Sequence, residues 1–357
     1  MMSVVIEPPY TLRSEGKTLR LEVNGELIRR IPYYQIDSLM IRGKVDLNAE
    51  VFRQCAAHGV PTLLVGARQH EGVSWVVGAA PPSVMLRMAQ HRALADASAQ
   101  KQLVRVLVQA KFNGYHIALN QPVFLRGPAR DRSTFLEGLQ ARERQLQASR
   151  DSDEARGLEG TMAREWFRLM GQQLQSSWGF SGRNRQPPKD PVNALLSLTY
   201  TILLADVQSA LTLLGLDVGV GFLHVPTPGR ASLALDLLEP LRPLADAWVL
   251  SLCQQVLMPE HFTRESSGAR YLSKSGRSLY YPALANWRQQ FAAHLTLEQS
   301  PDLWPAVALP QALDSLGDLC RHLAHQVAGV LLRLMRVDEA ETPNPIFEPD
   351  DEQAVER

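Results

Sequence analysis

Along the first eighty residues, apolar and polar positions alternate over short stretches. Residues 18–23 alternate, Asn24-Gly25 follows as a hairpin signal, and residues 27–31 return in the same rhythm. Residues 36–41, 62–65 and 73–77 read as further strands, the last two flanking the polar turn His70-Glu71-Gly72. Residues 48–58 have the spacing of a short helix closed by Gly59. Short strands with turn signals predict a small sheet or sandwich. Pro81-Pro82 then breaks the pattern.

From Ser83 the period becomes helical. Ser83 is placed to cap one long helix running to Leu119, with Val84, Met88, His91, Leu94, Leu103, Leu107 and Ala110 along one side. Residues 120–132 read as a loop carrying Arg126, Arg130 and Arg132, and 133–149 as a polar helix. Residues 158–174 are amphipathic, with Leu158, Met162, Trp166 and Met170 in register. Asp190-Pro191 pairs a capping residue with proline at the first helical position, so a helix starts there. It runs to Leu214, closes at Gly215 and is apolar nearly all round, which predicts a central buried helix. Residues 241–257, 274–295 and 311–336 complete the helical set, and no internal repeat is visible. The expectation is an α+β protein: a β-rich N-terminal domain (1–80), a larger all-α domain (81–336) and a tail (337–357).

At 357 residues the chain exceeds one compact core, which agrees with two domains. With 45% hydrophobic and 21% charged residues it is globular rather than disordered. Lys+Arg and Asp+Glu both total 37, and a net charge of zero argues at first against nucleic acid. The charge is unevenly placed, however. Residues 337–357 hold eight acids and only Arg357 as a base, so the tail carries −7 and the body +7. A basic body keeps nucleic acid open as a partner, and the Pro-rich acidic tail reads as disordered. Cys55, Cys253 and Cys320 form no CxxC pair, which fits a reducing cytoplasm. The N-terminus has no signal-peptide pattern. The longest apolar run, 194–205, stops at Asp206, short of the roughly 20 residues of a membrane span.

Four segments carry candidate chemistry. Glu159 lies near the start of the 158–174 helix, where an acid taken alone reads as a surface residue favoured by the helix dipole. His224, in Gly221-Phe222-Leu223-His224-Val225-Pro226, taken alone reads as a structural histidine. Asp236 and Glu239 are three apart and share a helical face. Their bland reading is a helix start, with Asp236 as cap and Glu239 reaching back. Taken together, these segments offer two carboxylates, one imidazole and a spare Asp, which suits Mg²⁺ or Mn²⁺. Such an ion activates an oxygen nucleophile and stabilises charge on a phosphodiester. Spacing alone does not bring Glu159 and His224 together, since 65 residues separate them. The fourth segment, 181–190, holds Arg183, Arg185 and Lys189, and a second basic cluster holds Arg264, Arg270, Lys274 and Arg277. These suit phosphate contacts, although any single Arg is more often ordinary loop charge. His322-x-x-His325 has no adjoining acid or Cys, and Gly219-x-Gly221 lacks the strand and third glycine of a dinucleotide loop.

These segments together resemble a known family, the CRISPR-associated integrase that installs new spacers, first-numbered among the CRISPR-associated proteins. The matching stretches are Leu158-Glu159-Gly160 with Ala163-Arg164 and Trp166-Phe167; Arg183-Asn184-Arg185 with Pro187-Pro188 and the 190–197 run; Gly221-Phe222-Leu223-His224; and the 232–243 run. The resemblance spans roughly residues 4–300. It implies a divalent-metal site (Mg²⁺ or Mn²⁺) of Glu159, His224 and Glu239, with Asp236 as a neighbouring catalytic acid and Arg242 facing DNA phosphate. Arg183, Arg185, Lys189 and Arg277 join Arg242 as implied DNA contacts.

The implied reaction is transesterification, in which a DNA 3′-hydroxyl attacks a phosphodiester at the CRISPR repeat boundary. Implied partners are protospacer DNA, the CRISPR repeat, a second copy of the chain joined through the β-rich domain, and the small second-numbered CRISPR-associated protein. A reverse transcriptase or nuclease partner would be a separate chain, and no membrane is involved. Thr227-Pro228-Gly229 departs from the basic or polar loop expected after the histidine. The other readings are a non-catalytic nucleic-acid scaffold and a branched-DNA repair nuclease, which needs the same phosphodiester chemistry.

Overall fold

Two four-stranded sheets share the N-terminal part of the chain, from Met2 to Val76. The structure is a computed structural model and describes residues 2–66, 73–76, 84–184, 187–295 and 316–335. The strands are β1 (Met2–Ile6), β2 (Thr11–Glu15), β3 (Thr18–Val23), β4 (Glu26–Pro32), β5 (Ile36–Arg42), β6 (Asp46–Leu47), β7 (Thr62–Val65) and β8 (Val73–Val76), with helix α1 (Ala49–Ala57) before β7. One sheet runs β4-β3-β2-β6 and the other β1-β5-β7-β8. The β3–β4 hairpin turns at Asn24 (φ 53°) and Gly25 (φ 83°), the paired positive φ angles that a two-residue hairpin needs. β5 and β7 pair in parallel, which requires a crossover, and α1 supplies it. Leu12, Leu19, Ile31, Tyr33, Leu39, Ile41, Val51 and Cys55 form a shared core between sheets and helix. The turn at 70–72 lies outside the described residues.

The helical region differs from the sequence reading at three places. The long helix from 84 to 119 is two helices, α2 (Val84–Ala95) and α3 (Ala97–Leu119). Asp96 leaves helical geometry and accepts hydrogen bonds from the amides of Ser98 (2.8 Å) and Ala99 (3.0 Å). A short acidic side chain is worth more as a cap than inside a helix, so the break falls there. The apolar face therefore does not run straight through. Val84 and Met88 are exposed, whereas Leu86, Ala89, Gln90 and Ala93 face inward. The predicted 120–132 loop instead holds a short helix α4 (Pro122–Leu125) and the start of α5 (Ala129–Gln147). Helix α6 (Ser152–Gln172) begins six residues earlier than expected, capped by Asp151, and Glu159 is therefore in mid-helix. Ser83, residues 311–315 and the acidic tail lie outside the described residues.

Helix α7 (Pro191–Leu213) is the predicted central helix, and Gly215 after it has φ 81°. It is long and apolar enough to cross a membrane by composition, but 72% of its apolar window is buried in this fold. Asp190 caps it by accepting from the Asn193 amide at 2.8 Å. Helices α8 (Ser232–Leu238) and α9 (Arg242–Gln255) flank a tight turn at 239–241. A two-stranded ribbon, β9 (Phe262–Arg264) and β10 (Arg270–Leu272), precedes α10 (Lys274–Leu295), and α11 (Leu316–Leu334) follows. Trp166 of α6 is buried against Tyr115 (4.9 Å between ring centres), Phe124 (4.9 Å) and Phe135 (5.4 Å). Helix α3 passes so close to the 239–241 turn that a Cβ on Gly114 would stand 2.5 Å from the Pro240 carbonyl oxygen. That approach brings Lys111, one turn earlier on α3, beside Glu239.

The two caps should differ in worth. Asp190 is buried and also accepts from the side chains of Asn184 and Asn193, whereas Asp96 is exposed and accepts from backbone amides. Asp190→Ala is expected to cost about 2 kcal/mol or more and Asp96→Ala about 1 kcal/mol. Urea unfolding measures both, and equal losses would contradict this account of the two helix starts.

Candidate active site

Five elements converge on one point. Helix α3 brings Lys111, α6 brings Glu159, the 217–231 loop brings His224, α8 brings Asp236, and the 239–241 turn brings Glu239, with Arg242 opening α9. Asp236 is fully buried, and the chain of residues 222–224 wraps around its carboxylate. Oδ2 accepts from the amides of Phe222 (2.6 Å) and Leu223 (3.0 Å), and Oδ1 accepts from the amide of His224 (2.7 Å). The same Oδ1 lies 2.8 Å from His224 Nδ1. Gly221 makes the wrap possible, because a Cβ there would stand 2.6 Å from the Ser232 carbonyl carbon. Burial pushes the Asp236 carboxyl above its usual value, against the pull of His224 and the amide donors. The helix-cap reading of this residue is wrong: Ala231 caps α8, and Asp236 lies inside the helix.

This contact sets the direction of the imidazole. With Nδ1 held at Asp236, Nε2 faces Glu239 Oε1 at 3.7 Å. The Glu239 side chain is 5% exposed. Burial works to raise its carboxyl, but Arg242, Lys111 and His224 outweigh that and hold it at about 2. Arg242 Nε lies 3.0 Å from Glu239 Oε1.

Lys111 escaped the sequence reading. Its Nζ donates to Glu239 Oε2 at 2.6 Å and to Glu159 Oε1, so one buried ammonium bridges both carboxylates. Burial disfavours the charge, yet Glu239, Tyr115 and Glu159 more than offset it, and the ammonium is held above its usual value. The available signal was a lysine set between Ala110 and Phe112 in a largely apolar helix. Tyr200 and Asp246 also escaped notice. The guanidinium of Arg242 lies over the Tyr200 ring at 4.7 Å and that of Arg183 at 5.5 Å. Tyr200 donates its hydroxyl to Asp246 Oδ1, and Trp166 Nε1 donates to Asp246 Oδ2 at 2.9 Å. Burial, partly countered by those two donors, lifts the Asp246 carboxyl to about 6.

The expected DNA contacts fall into different places. Lys189 is exposed, as are Arg264 and Lys274. Arg242 is turned inward onto Glu239 and Tyr200 rather than projecting freely. Arg183 is half-buried, donating to Asn193 Oδ1 (2.8 Å) and Ser197 Oγ (3.1 Å). Arg277 donates to the Leu272 carbonyl (3.0 Å) and lies 3.8 Å from Glu7, at the joint between the sheets and α10. Arg185 lies outside the described residues.

The residues present fit a divalent ion in their chemistry. Two carboxylates and an imidazole nitrogen are suitable donors for Mg²⁺ or Mn²⁺. The 3.7 Å between His224 Nε2 and Glu239 Oε1 is too long for a hydrogen bond and short enough for two ligands of one ion. Among the described residues, no three His, Cys, Asp or Glu side chains already close around an ion-sized space. Between Glu159 and Glu239 that space is taken by the Lys111 ammonium.

The pH dependence of stability tests the Asp246 environment. Its carboxyl is raised from 3.8 to about 6, so the folded state favours the protonated form. The stability this group contributes is complete below about pH 4 and lost as pH rises through 6, by roughly 2–3 kcal/mol. Asp246→Asn should flatten that part of the stability-versus-pH curve relative to wild type. Parallel curves for the two proteins would contradict the assignment.

The family model for CRISPR associated protein Cas1 matches residues 3–286. A CRISPR-associated endonuclease Cas1 of Rhodospirillum rubrum is 34% identical over 304 residues, covering 82% of this chain and 87% of that protein. Among solved structures, a casposase bound to integration product superposes with a TM-score of 0.72 at 20% identity, over 95% of this chain and 92% of that one. A chain of a partial Cas6-RT-Cas1–Cas2 complex gives a TM-score of 0.62 at 19% identity, over 94% and 96%. At such identities the solved structures show a shared fold. The family match over most of the chain and the identity to the Rhodospirillum protein show more, and the chain belongs to the Cas1 family of CRISPR-associated proteins.

Proposed function

We propose that this protein is the integrase of CRISPR adaptation, a divalent-metal-dependent DNA endonuclease and integrase that works by transesterification. The observation that carries this reading is the orientation of His224. Asp236 holds Nδ1, so Nε2 is presented toward Glu239, the geometry in which the ring would bind metal. Glu159, His224 and Glu239 would hold Mg²⁺ or Mn²⁺, with Asp236 as the positioning acid. The ion, when bound, lowers the pKa of the attacking DNA 3′-hydroxyl and stabilises charge on the phosphodiester. In the overall reaction a new P–O bond forms to that hydroxyl, the old P–O bond breaks, and a 3′-hydroxyl is released. The chain keeps the imidazole aimed, and in the metal-free site Arg242 and Lys111 hold Glu239 ionised.

The casposase bound to integration product and the solved Cas1–Cas2 assembly favour DNA and the small Cas2 protein as partners. Residues 1–80 would then form the dimerising domain and 81–336 the catalytic one. Exposed Lys189, Arg264 and Lys274 are the side chains placed to reach phosphate.

A strand-transfer assay tests this reading, using short duplex DNA, a repeat-bearing plasmid, Cas2, and Mn²⁺ or Mg²⁺. Metal-dependent joined products are expected, falling about 100-fold or more in Glu159→Ala, His224→Ala and Glu239→Ala. Binding without joining or cleavage under any metal would point to the scaffold reading. Cleavage of branched DNA without joining would point to a repair nuclease. Full activity in Glu239→Ala would sink the ligand assignment.

A further inference from the structure

One charge in the site stands between the two carboxylates that the metal reading assigns to an ion. A divalent ion between Glu159 and Glu239 would compete with the Lys111 ammonium, which already bridges them. The lysine side chain is 7% exposed and rises from an α3 turn locked against Pro240 through Gly114. It is a built contact, not a surface lysine that happens to reach an acid. A buried Glu239 and a partly buried Glu159 brought together repel each other and lose solvation, so an apo site of this kind needs a positive charge of its own. Arg242 serves Oε1 of Glu239, while Lys111 serves Oε2 and reaches across to Glu159. Among the described residues, Lys111 is the cation within ion-pair distance of both the α6 acid and the turn acid.

We propose that Lys111 is the site's internal counter-cation: it holds Glu159 and Glu239 together in the metal-free protein and is displaced when a divalent ion takes its place. The proposal rests on the metal reading above and makes Lys111 a positioning residue. Ion binding is then an exchange, with the four-carbon stem of the lysine letting the ammonium swing away while the carboxylates stay. The exchange weakens metal affinity and makes the empty site stable.

The test reads metal binding and stability rather than catalysis. Full-length wild type, Lys111→Met, Lys111→Gln and Lys111→Arg are titrated with Mn²⁺ by calorimetry and melted in EDTA and in saturating Mn²⁺. Removing a full positive charge from beside the ion should tighten Mn²⁺ binding about tenfold or more in Lys111→Met and Lys111→Gln. The same variants should melt several degrees lower in EDTA, with most of that deficit recovered in Mn²⁺. Lys111→Arg should restore the EDTA stability. Lys111→Gln, which keeps a hydrogen-bond donor, covers the case in which Lys111→Met does not fold. Unchanged or weaker Mn²⁺ binding, or an equal melting deficit with and without metal, would overturn the proposal. If neither wild type nor variants bind Mn²⁺, the metal reading falls and the displacement falls with it. Binding by wild type with no tightening in the variants fails the displacement alone.

Discussion

The buried carboxylate of Asp236 is the interaction on which the site depends. Burying an ionisable group costs several kcal/mol unless donors surround it. Here three consecutive amides and one imidazole nitrogen do so. Because those donors are the backbone of residues 222–224 and the ring of His224, one carboxylate fixes a loop and a side-chain direction together. Its own position is set by α8, whose Leu233, Leu237 and Leu238 are buried in the helical core. The packing of a seven-residue helix thus becomes the aim of an imidazole nitrogen.

Around that point the charges are layered. Glu239 is flanked by Arg242 on one oxygen and Lys111 on the other, and remains ionised although it is buried. Arg242 in turn rests on Tyr200, whose hydroxyl is held by Asp246 together with Trp166. Trp166 belongs to the aromatic cluster that packs α3 against α6. The apolar core and the polar site are therefore one construction. The α3 helix that buries Phe112 and Tyr115 also delivers Lys111, and Gly114 sets how closely it delivers it.

Local signals in the sequence proved reliable where the physics is local. Asn24-Gly25 marks a turn whose φ angles those two residues adopt readily, and Asp190-Pro191 marks a helix start that needs nothing distant. Asp96 carried a comparable cap signal, but the continuous apolar pattern on both sides hid it. Parallel pairing of β1, β5 and β7 was not legible, since strand neighbours depend on the crossover and not on alternation. In the site, the acids and the histidine could be named from their motifs and the family resemblance. Asp236 looked like a cap because its spacing to Glu239 fits one, and only the tertiary wrap of 222–224 shows otherwise. Lys111 was silent because its partner Glu239 lies 128 residues away and a lysine on a helix is usually solvated. Arg242 and Arg183 looked like phosphate contacts, and their inward stacking on Tyr200 is likewise a tertiary fact.

The central claim is that Glu159, His224 and Glu239 surround one ion position, with Asp236 aiming the imidazole. Anomalous diffraction from crystals soaked in Mn²⁺ addresses it directly. The account predicts a single manganese peak bounded by His224 Nε2 and carboxylate oxygens of Glu159 and Glu239, with Nδ1 still on Asp236. A peak elsewhere on the protein, or manganese bound with the His224 ring turned away from Asp236, would contradict it.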